Sequence, residues 1–163
     1  MYKVAYKNKI YICFDADNDI HYYRLMQAWK EKNKEIFNFY DAHDINNIMH
    51  YSNEDTIKRN LFERLKNSKL FLVLVGESTK YLYKYVRWEI QKAIDLDLPI
   101  IVVNLNKVNG IDENNCPPLL LKNLSLHVPF EKDKIKQAIN IWTNEFKRLK
   151  NNNENSPRIL INK

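Results

Sequence analysis

The sequence predicts a single α/β domain built on a doubly wound parallel sheet. Apolar runs of strand length alternate along the chain with segments whose apolar residues recur at helical spacing. One run, residues 70–75, is apolar on both faces, as expected of a strand in the middle of a parallel sheet. The 163 residues are enough for one such domain and its core. Right-handed connections then give a flavodoxin-like arrangement, in which helices cover both faces of the sheet.

Five segments rich in β-branched, aromatic and aliphatic residues predict strands, at residues 10–14, 36–41, 69–76, 99–105 and 125–130. The second segment alternates apolar with polar residues, so we expect it to be less buried than the first. Because these segments alternate with helices, they predict a three-layer domain with a five-stranded parallel sheet.

Four segments place apolar residues along one helical face. The first follows Asp19, the second follows Asn53, the third begins within residues 81–86, and the fourth covers residues 133–150. Asp19 is expected to cap the first helix, and Asn53 or the serine before it is expected to cap the second.

The predicted domain covers residues 1–150. Residues 151–163 contain a run of asparagines, one proline and no periodic apolar pattern. We therefore expect a flexible C-terminal tail that is dispensable for folding.

Composition excludes several classes of protein. The formal charge of +6 does not by itself indicate nucleic-acid binding, because the lysines are mixed with acidic residues, as in residues 30–34 and 131–136. Cys13 and Cys116 lie far apart and show no metal-ligand spacing, which favours a reduced intracellular setting. The longest apolar run is far shorter than the roughly 20 residues that cross a membrane. We therefore expect a cytoplasmic protein whose partners include neither nucleic acid nor a membrane.

Candidate ligand-binding residues follow the predicted strands, because open parallel sheets bind ligands beyond the carboxyl ends of their strands. The residues selected in this way follow the first three strands or lie in the next helix: Asp15, Asp17, Asp19, Asp41, His43, Asp44, Glu77, Ser78, Thr79, Trp88 and Glu89. They should surround one cleft.

Several common sites are excluded. Two glycines in the whole chain cannot supply a glycine-rich phosphate loop. Asp15, Asp17 and Asp19 alternate as in a calcium loop, but the glycine and the bidentate glutamate of that loop are missing, so no metal is expected. Cys13 lies inside a predicted strand, where a small buried thiol is the ordinary interpretation.

Glu89 is the strongest candidate for chemistry. At about 100° per residue it lies at the edge of the apolar stripe that contains Ile90, near the surface and facing the predicted cleft. A carboxylate there can stabilise the cationic ribosyl centre that forms when a glycosidic bond breaks, or hold the hydroxyls of the sugar. The alternative is a surface glutamate paired with Arg87 or Lys92.

Four segments, IYICFDADND, FNFYDAHD, LFLVLVGESTKY and YVRWEIQKAI, carry a resemblance to a known family. In that order they resemble the TIR superfamily, most closely the TIR-like ThsB proteins of bacterial Thoeris defence, over about residues 11–106. The resemblance implies a flavodoxin-like fold and cleavage of NAD⁺ at its nicotinamide–ribose bond. It further implies that Glu89 is the catalytic carboxylate and that the reaction needs no prosthetic group. It also implies a cleft lined by Phe14 and Asp15, by the turn at Ser78 and Thr79, and by Trp88.

The same resemblance implies partners: self-association between TIR domains, a phage-derived trigger, and a separate effector that binds a cyclic or conjugated ADP-ribose signal. Asp15 replaces the serine found after the first strand of animal TIR domains, and residues 42–51 lack the usual proline and glycine. The alternative is a non-enzymatic TIR-like adaptor. In that case Trp88 would form an interface with the nearby tyrosines Tyr81, Tyr83 and Tyr85.

Overall fold

The computed structural model describes residues 8–40 and 53–161. Their sheet has five strands, all paired in parallel and ordered across the sheet as along the chain. The strands are β1 (Lys9–Cys13), β2 (Ser68–Val75), β3 (Ile100–Asn104), β4 (Leu126–Pro129) and β5 (Arg158–Ile159).

Helices cover both faces of this sheet. They are α1 (Ile20–Lys32), α2 (Glu54–Lys66), α3 (Val86–Asp95), α4 (Pro118–Leu121) and α5 (Lys132–Asn151), with a 3-10 helix at Thr79–Tyr81. One core cluster packs α1 and α5 on the first face, and a second packs α2, α3 and α4 on the other. The predicted three-layer, flavodoxin-like class is confirmed.

The central strand β2 shows why the two layers form. Its side chains alternate between the faces, so Leu72 belongs to the α1–α5 cluster while Phe71 and Val73 belong to the α2–α4 cluster. All three are fully buried. A strand with no polar face is stable only between two layers of helices, as the apolar sequence predicted.

The second predicted strand, residues 36–41, is described as far as Tyr40, and that part forms a single bridge instead of a strand. Within its described residues only Phe39 pairs with the sheet, through one parallel bridge to Ile10 on the outer side of β1. The backbone N–H of Phe37 instead donates to Asn33 O at 3.0 Å, in the turn that follows α1. The turn therefore uses the Phe37 N–H, which a longer strand would need for pairing. The bridge between Phe39 and Ile10 still keeps the segment beside β1.

The C-terminal residues also differ from the expected flexible tail. Asn153 has a left-handed backbone with φ of 58°, which asparagine tolerates, and the chain reverses after α5. Arg158 and Ile159 then pair with β4, and Leu160 is buried with 7% exposure. A two-residue strand is too short to show a periodic pattern, so β5 could not be recognised from the spacing of apolar residues.

Removing this strand should destabilise the protein. A chain ending at Asn152 loses the β4–β5 pairing and the burial of Leu160, which alone contributes about 2 kcal/mol. For a domain of this size we expect the melting temperature to fall by about 4–8 °C in a thermal melt.

Two point substitutions separate the burial of Leu160 from the pairing of β4 with β5. Leu160→Ala should reproduce part of that loss, whereas Ile161→Ala, at a side chain that is 73% exposed, should melt like the parent. A truncated chain that melts within 1 °C of the parent would show that β5 adds nothing to stability.

Candidate functional site

A cavity of about 520 Å³ opens at the carboxyl end of β1. It lies between the loop after β1, helix α2 and the segment that leads into α3. We call it the Glu89 cavity, and its lining residues are Ile12, Cys13, Phe14, Asp15, Ala16, Asp17, Leu61, Tyr81, Leu82, Tyr83, Lys84, Tyr85, Val86 and Glu89. The position agrees with the rule that open sheets bind ligands beyond their strand ends.

Glu89 reaches this cavity from the first turn of α3. Its backbone N–H donates to Tyr85 O at 2.7 Å, and Val86 and Ile90 on the same side are buried against the sheet. The carboxyl group is therefore drawn inward with the apolar stripe, and only 9% of the residue is exposed. The expectation that Glu89 lies near the surface is wrong, although it does face the cavity.

Burial determines the electrostatics of this carboxyl group. Desolvation raises the pKa of Glu89 from 4.5 to about 7, and a hydrogen bond from the Tyr11 hydroxyl to Oε2 opposes that rise. A carboxyl group that changes charge near neutral pH, inside a cavity, is the type of group found at functional sites.

The alternative of a surface ion pair does not fit the surroundings of Glu89. Arg87 is exposed, with its Cζ atom 5.5 Å from the ring centroid of Tyr83. Lys92 lies 5.9 Å from the ring centroid of Phe62. Within the described residues, neither cation forms an ion pair with Glu89.

Asp15 joins the two loops beside the cavity. Its Oδ2 accepts hydrogen bonds from Ser78 Oγ at 2.6 Å and Asn18 Nδ2 at 2.7 Å, and its Oδ1 accepts from the backbone of Asp17 at 3.0 Å and of Asn18 at 3.3 Å. Burial alone would raise the pKa of Asp15, but these donors outweigh it and hold the pKa below its usual value. Asp15 is thus a fixed anion that fastens the loop after β1 to the loop after β2.

Thr79 stabilises the turn after β2 and is not part of the cavity wall. It is buried, its Oγ1 accepts from Gly76 N at 2.8 Å, and it does not line the Glu89 cavity. Gly76 itself lies against the carboxylate of Asp19, where an added Cβ would stand 2.7 Å from Oδ2. The Asp19 side chain makes no capping hydrogen bond to α1, contrary to expectation, whereas Asn53 caps α2 through Thr56 N at 2.9 Å.

The other predicted site residues include Phe14, Asp17, Trp88 and Asp44. Phe14 and Asp17 line the cavity, and the Phe14 ring stacks on Tyr23 with centroids 4.7 Å apart. Trp88 does not line it. Its half-buried ring packs beside α2, with Lys58 Nζ 5.5 Å from the centroid. Asp41, His43 and Asp44 lie outside the described residues.

Tyr11 is the residue that sequence reasoning missed. Its hydroxyl contacts Glu89 from 78 positions away along the chain. Side chains alternate along a strand, so Tyr11 shares its face with Cys13, and both point toward α2 and α3. That alternation is the signal that could have identified it.

The described residues contain no group of three or more His, Cys, Asp or Glu side chains placed to hold a metal ion. None of the described helices combines the length and the apolar composition needed to cross a membrane.

The raised pKa of Glu89 predicts how stability depends on pH. Between pH 4.5 and about 7 the folded protein keeps a proton that the unfolded chain has released. This contribution to stability is complete below pH 4.5 and is lost as the pH rises through 7. Because Gln does not ionise, we expect Glu89→Gln to gain stability relative to the parent from pH 5 to pH 8, by on the order of 1–3 kcal/mol.

Thermal melts of both proteins at pH 5, 6, 7 and 8 measure this difference. Glu31→Gln is the matched control, because Glu31 is exposed on α1. If the melting curves of Glu89→Gln and the parent stay parallel across that range, the carboxyl group is not desolvated as described.

One comparison with known families bears on this site. The family model described as the TIR-like domain of the Thoeris protein ThsB matches residues 11–110. The match covers three-fifths of the chain and includes every residue that lines the Glu89 cavity, together with Tyr11. Since the family model matches more than half of the chain, this chain belongs to the Thoeris ThsB TIR-like domain family.

Proposed function

We propose that this TIR-type defence protein is an enzyme that cleaves NAD⁺ between nicotinamide and ribose, with Glu89 as its catalytic carboxylate. The proposed product is a cyclic or conjugated ADP-ribose signal, made after phage infection, that activates a separate effector. The observation that supports the proposal is the buried carboxyl group of Glu89 in the wall of a cavity beyond β1. No metal or prosthetic group is needed, and the proposed location is the cytoplasm.

Glu89 would act on the charge that forms during bond cleavage. The electron pair of the C1′–N bond leaves with nicotinamide, which becomes neutral, while C1′ becomes a ribosyl cation. A carboxylate held in a desolvated site stabilises this cation far more than one in water. A group of the same ADP-ribose, or a nucleophile from a second molecule, then bonds to C1′ and loses its proton to solvent, which gives the cyclic or the conjugated product.

The positive charge of the substrate favours the ionised form of Glu89, which this chemistry requires. An empty cavity leaves the carboxyl group with a pKa of about 7, so both forms are present near neutrality. The nicotinamide ring of NAD⁺ is cationic, and a nearby cation lowers the pKa of a carboxyl group. Substrate binding would therefore ionise the group that stabilises the reaction.

The other lining residues suit a dinucleotide. The rings of Phe14 and Tyr85 offer apolar surface for a planar base. Lys84 lies on the same wall and can pair with phosphate, and the exposed Asp17 can accept hydrogen bonds from ribose hydroxyls.

A second candidate function, a non-catalytic adaptor, is favoured by one observation. Tyr81 and Tyr83 are each 62% exposed, which is unusual for large aromatic side chains on a free surface. Both also line the Glu89 cavity. Self-association through these rings would serve an adaptor, but in an enzyme it would also complete the cavity wall.

Replacing Glu89 tests the catalytic proposal. Glu89→Gln keeps the size of the side chain and removes its charge, so we expect nicotinamide release to fall about a hundredfold, which corresponds to ~3 kcal/mol of transition-state stabilisation. The measurement is nicotinamide release at pH 8, with a thermal melt of the same preparation.

Glu31→Gln should retain the parent rate, because it removes a glutamate from an exposed position on α1. A Glu89→Gln protein that folds and still releases nicotinamide at the parent rate would rule out the catalytic role. An adaptor would instead show no nicotinamide release from the parent at any concentration, while self-association persisted.

Self-association predicts that activity depends on concentration. Specific activity should rise as protein concentration increases, because a neighbouring copy covers Tyr81 and Tyr83 and completes the cavity. NAD⁺ turnover measured beside light scattering from dilute to concentrated protein checks this.

Ile141→Ser is a matched surface control, since Ile141 is 43% exposed on α5, across the sheet from α3. It should leave the concentration dependence unchanged, whereas Tyr83→Ser should shift it to higher concentration. Constant specific activity from a strictly monomeric protein would contradict assembly control.

A further inference from the structure

Packing around Tyr11 fixes the geometry of its contact with Glu89. Tyr11 is buried, and its ring stacks on Phe71 of β2 with centroids 5.5 Å apart and planes 15° apart. Its hydroxyl donates to Glu89 Oε2. Because β1 and the stacked ring hold the hydroxyl in place, the bond also restricts the rotamer of Glu89.

This contact leaves the second carboxylate oxygen for the cavity. Within residues 8–40 and 53–161, the Tyr11 hydroxyl is the one side-chain hydrogen-bond donor to Glu89, and it occupies Oε2 alone. Glu89 also lines the cavity.

We propose that Tyr11 is a positioning residue, which acts through Glu89 by holding Oε2 and favouring the ionised carboxylate while Oε1 stays available to the substrate. Its effect on catalysis rests on the proposed function of Glu89. Its effect on the charge of Glu89 is independent of any activity.

Tyr11 keeps its own proton under all relevant conditions. Burial and the neighbouring Glu89 charge raise the pKa of Tyr11 well above its usual value, and the positive charge of Arg64 on α2 only partly opposes this. The phenol therefore remains a donor. Such a bond stabilises the charged form of the carboxyl group, which is why it lowers the pKa of Glu89 against the larger effect of burial.

Other ionisable groups around the carboxyl group come from several elements. Cys13, next to it on β1, is neutral because burial and the Glu89 charge raise the pKa of its thiol well above the usual value. The loops contribute Asp15, Asp17 and Lys84 to the cavity wall. The named causes of the Glu89 pKa shift are burial and Tyr11.

Tyr11→Phe removes the hydroxyl and keeps the ring. We expect the ionisation midpoint of Glu89 to move to higher pH by on the order of 1 pH unit, a tenfold change in its ionisation constant. The acid limb of the pH–rate profile should move with it, so that nicotinamide release falls roughly tenfold at pH 6.5 and recovers near pH 9.

The experiment is an NMR titration of protein labelled with ¹³C at glutamate carboxyl groups, followed by pH–rate profiles of the same samples. Glu89→Gln assigns the resonance. Tyr23→Phe is the matched control, because it removes a buried tyrosine hydroxyl that donates to Tyr40 O at 3.1 Å, on the opposite face of the sheet. It should leave both the midpoint and the acid limb unchanged.

A second replacement keeps the test decisive if Tyr11→Phe does not fold. Placing 3-fluorotyrosine at position 11 retains the hydroxyl and makes it a stronger donor, so the Glu89 midpoint should move in the opposite direction, to lower pH.

The outcomes are distinct. An unchanged Glu89 midpoint in the folded variant overturns the proposal. A shifted midpoint with an unmoved acid limb overturns its catalytic part. A shifted midpoint in a protein that releases no nicotinamide supports the contact between Tyr11 and Glu89 and refutes the proposed function instead.

Discussion

The parallel pairing of β1 with β2 determines where every part of the candidate site can lie. Its register places Tyr11 opposite Phe71 and Cys13 opposite Val73, so the two strands end side by side. The loops that follow must then meet, and the bond between Ser78 and Asp15 fastens them. Because β2 is packed between two layers of helices, a shift in this register would move its side chains from one core cluster to the other and disrupt the packing of both.

Much of this architecture could be predicted from the sequence, because it depends on local pattern. The apolar run of β2 and the apolar stripe around Ile90 both predict that these segments are buried. The positions directly after β1 and β2 then predict Asp15 and Ser78 as site residues. The environment of Glu89 could not be predicted in the same way. Its deep burial depends on how α3 docks, and its hydrogen bond comes from Tyr11, whose strand face follows from alternation but whose contact with Glu89 depends on the same docking. Trp88, next to Glu89 on the helix, is turned toward α2 instead of the cavity, which spacing alone did not resolve.

The site also opposes the stability of the fold that carries it. The carboxyl group of Glu89 is desolvated, and its charged form is unfavourable inside the protein. Among the residues that the structure describes, one phenol hydroxyl compensates for this cost, and a structural role alone does not require a carboxyl group here. An apolar residue of similar volume would satisfy the packing between α3 and β1 without this penalty. Retaining an ionisable group where an apolar one would be more stable is characteristic of residues kept for function.

The last strand of the sheet comes from the very end of the described chain and pairs with β4 only after the whole of α5 has been traversed. During synthesis, therefore, the outer edge of β4 has no partner until α5 and the residues after it have been made, even though β1 to β3 can already associate. An uncovered strand edge is a template for pairing with other chains. Completion of the sheet therefore waits for the segment after α5, and a chain interrupted before Arg158 presents an open β4 edge that the folded domain does not.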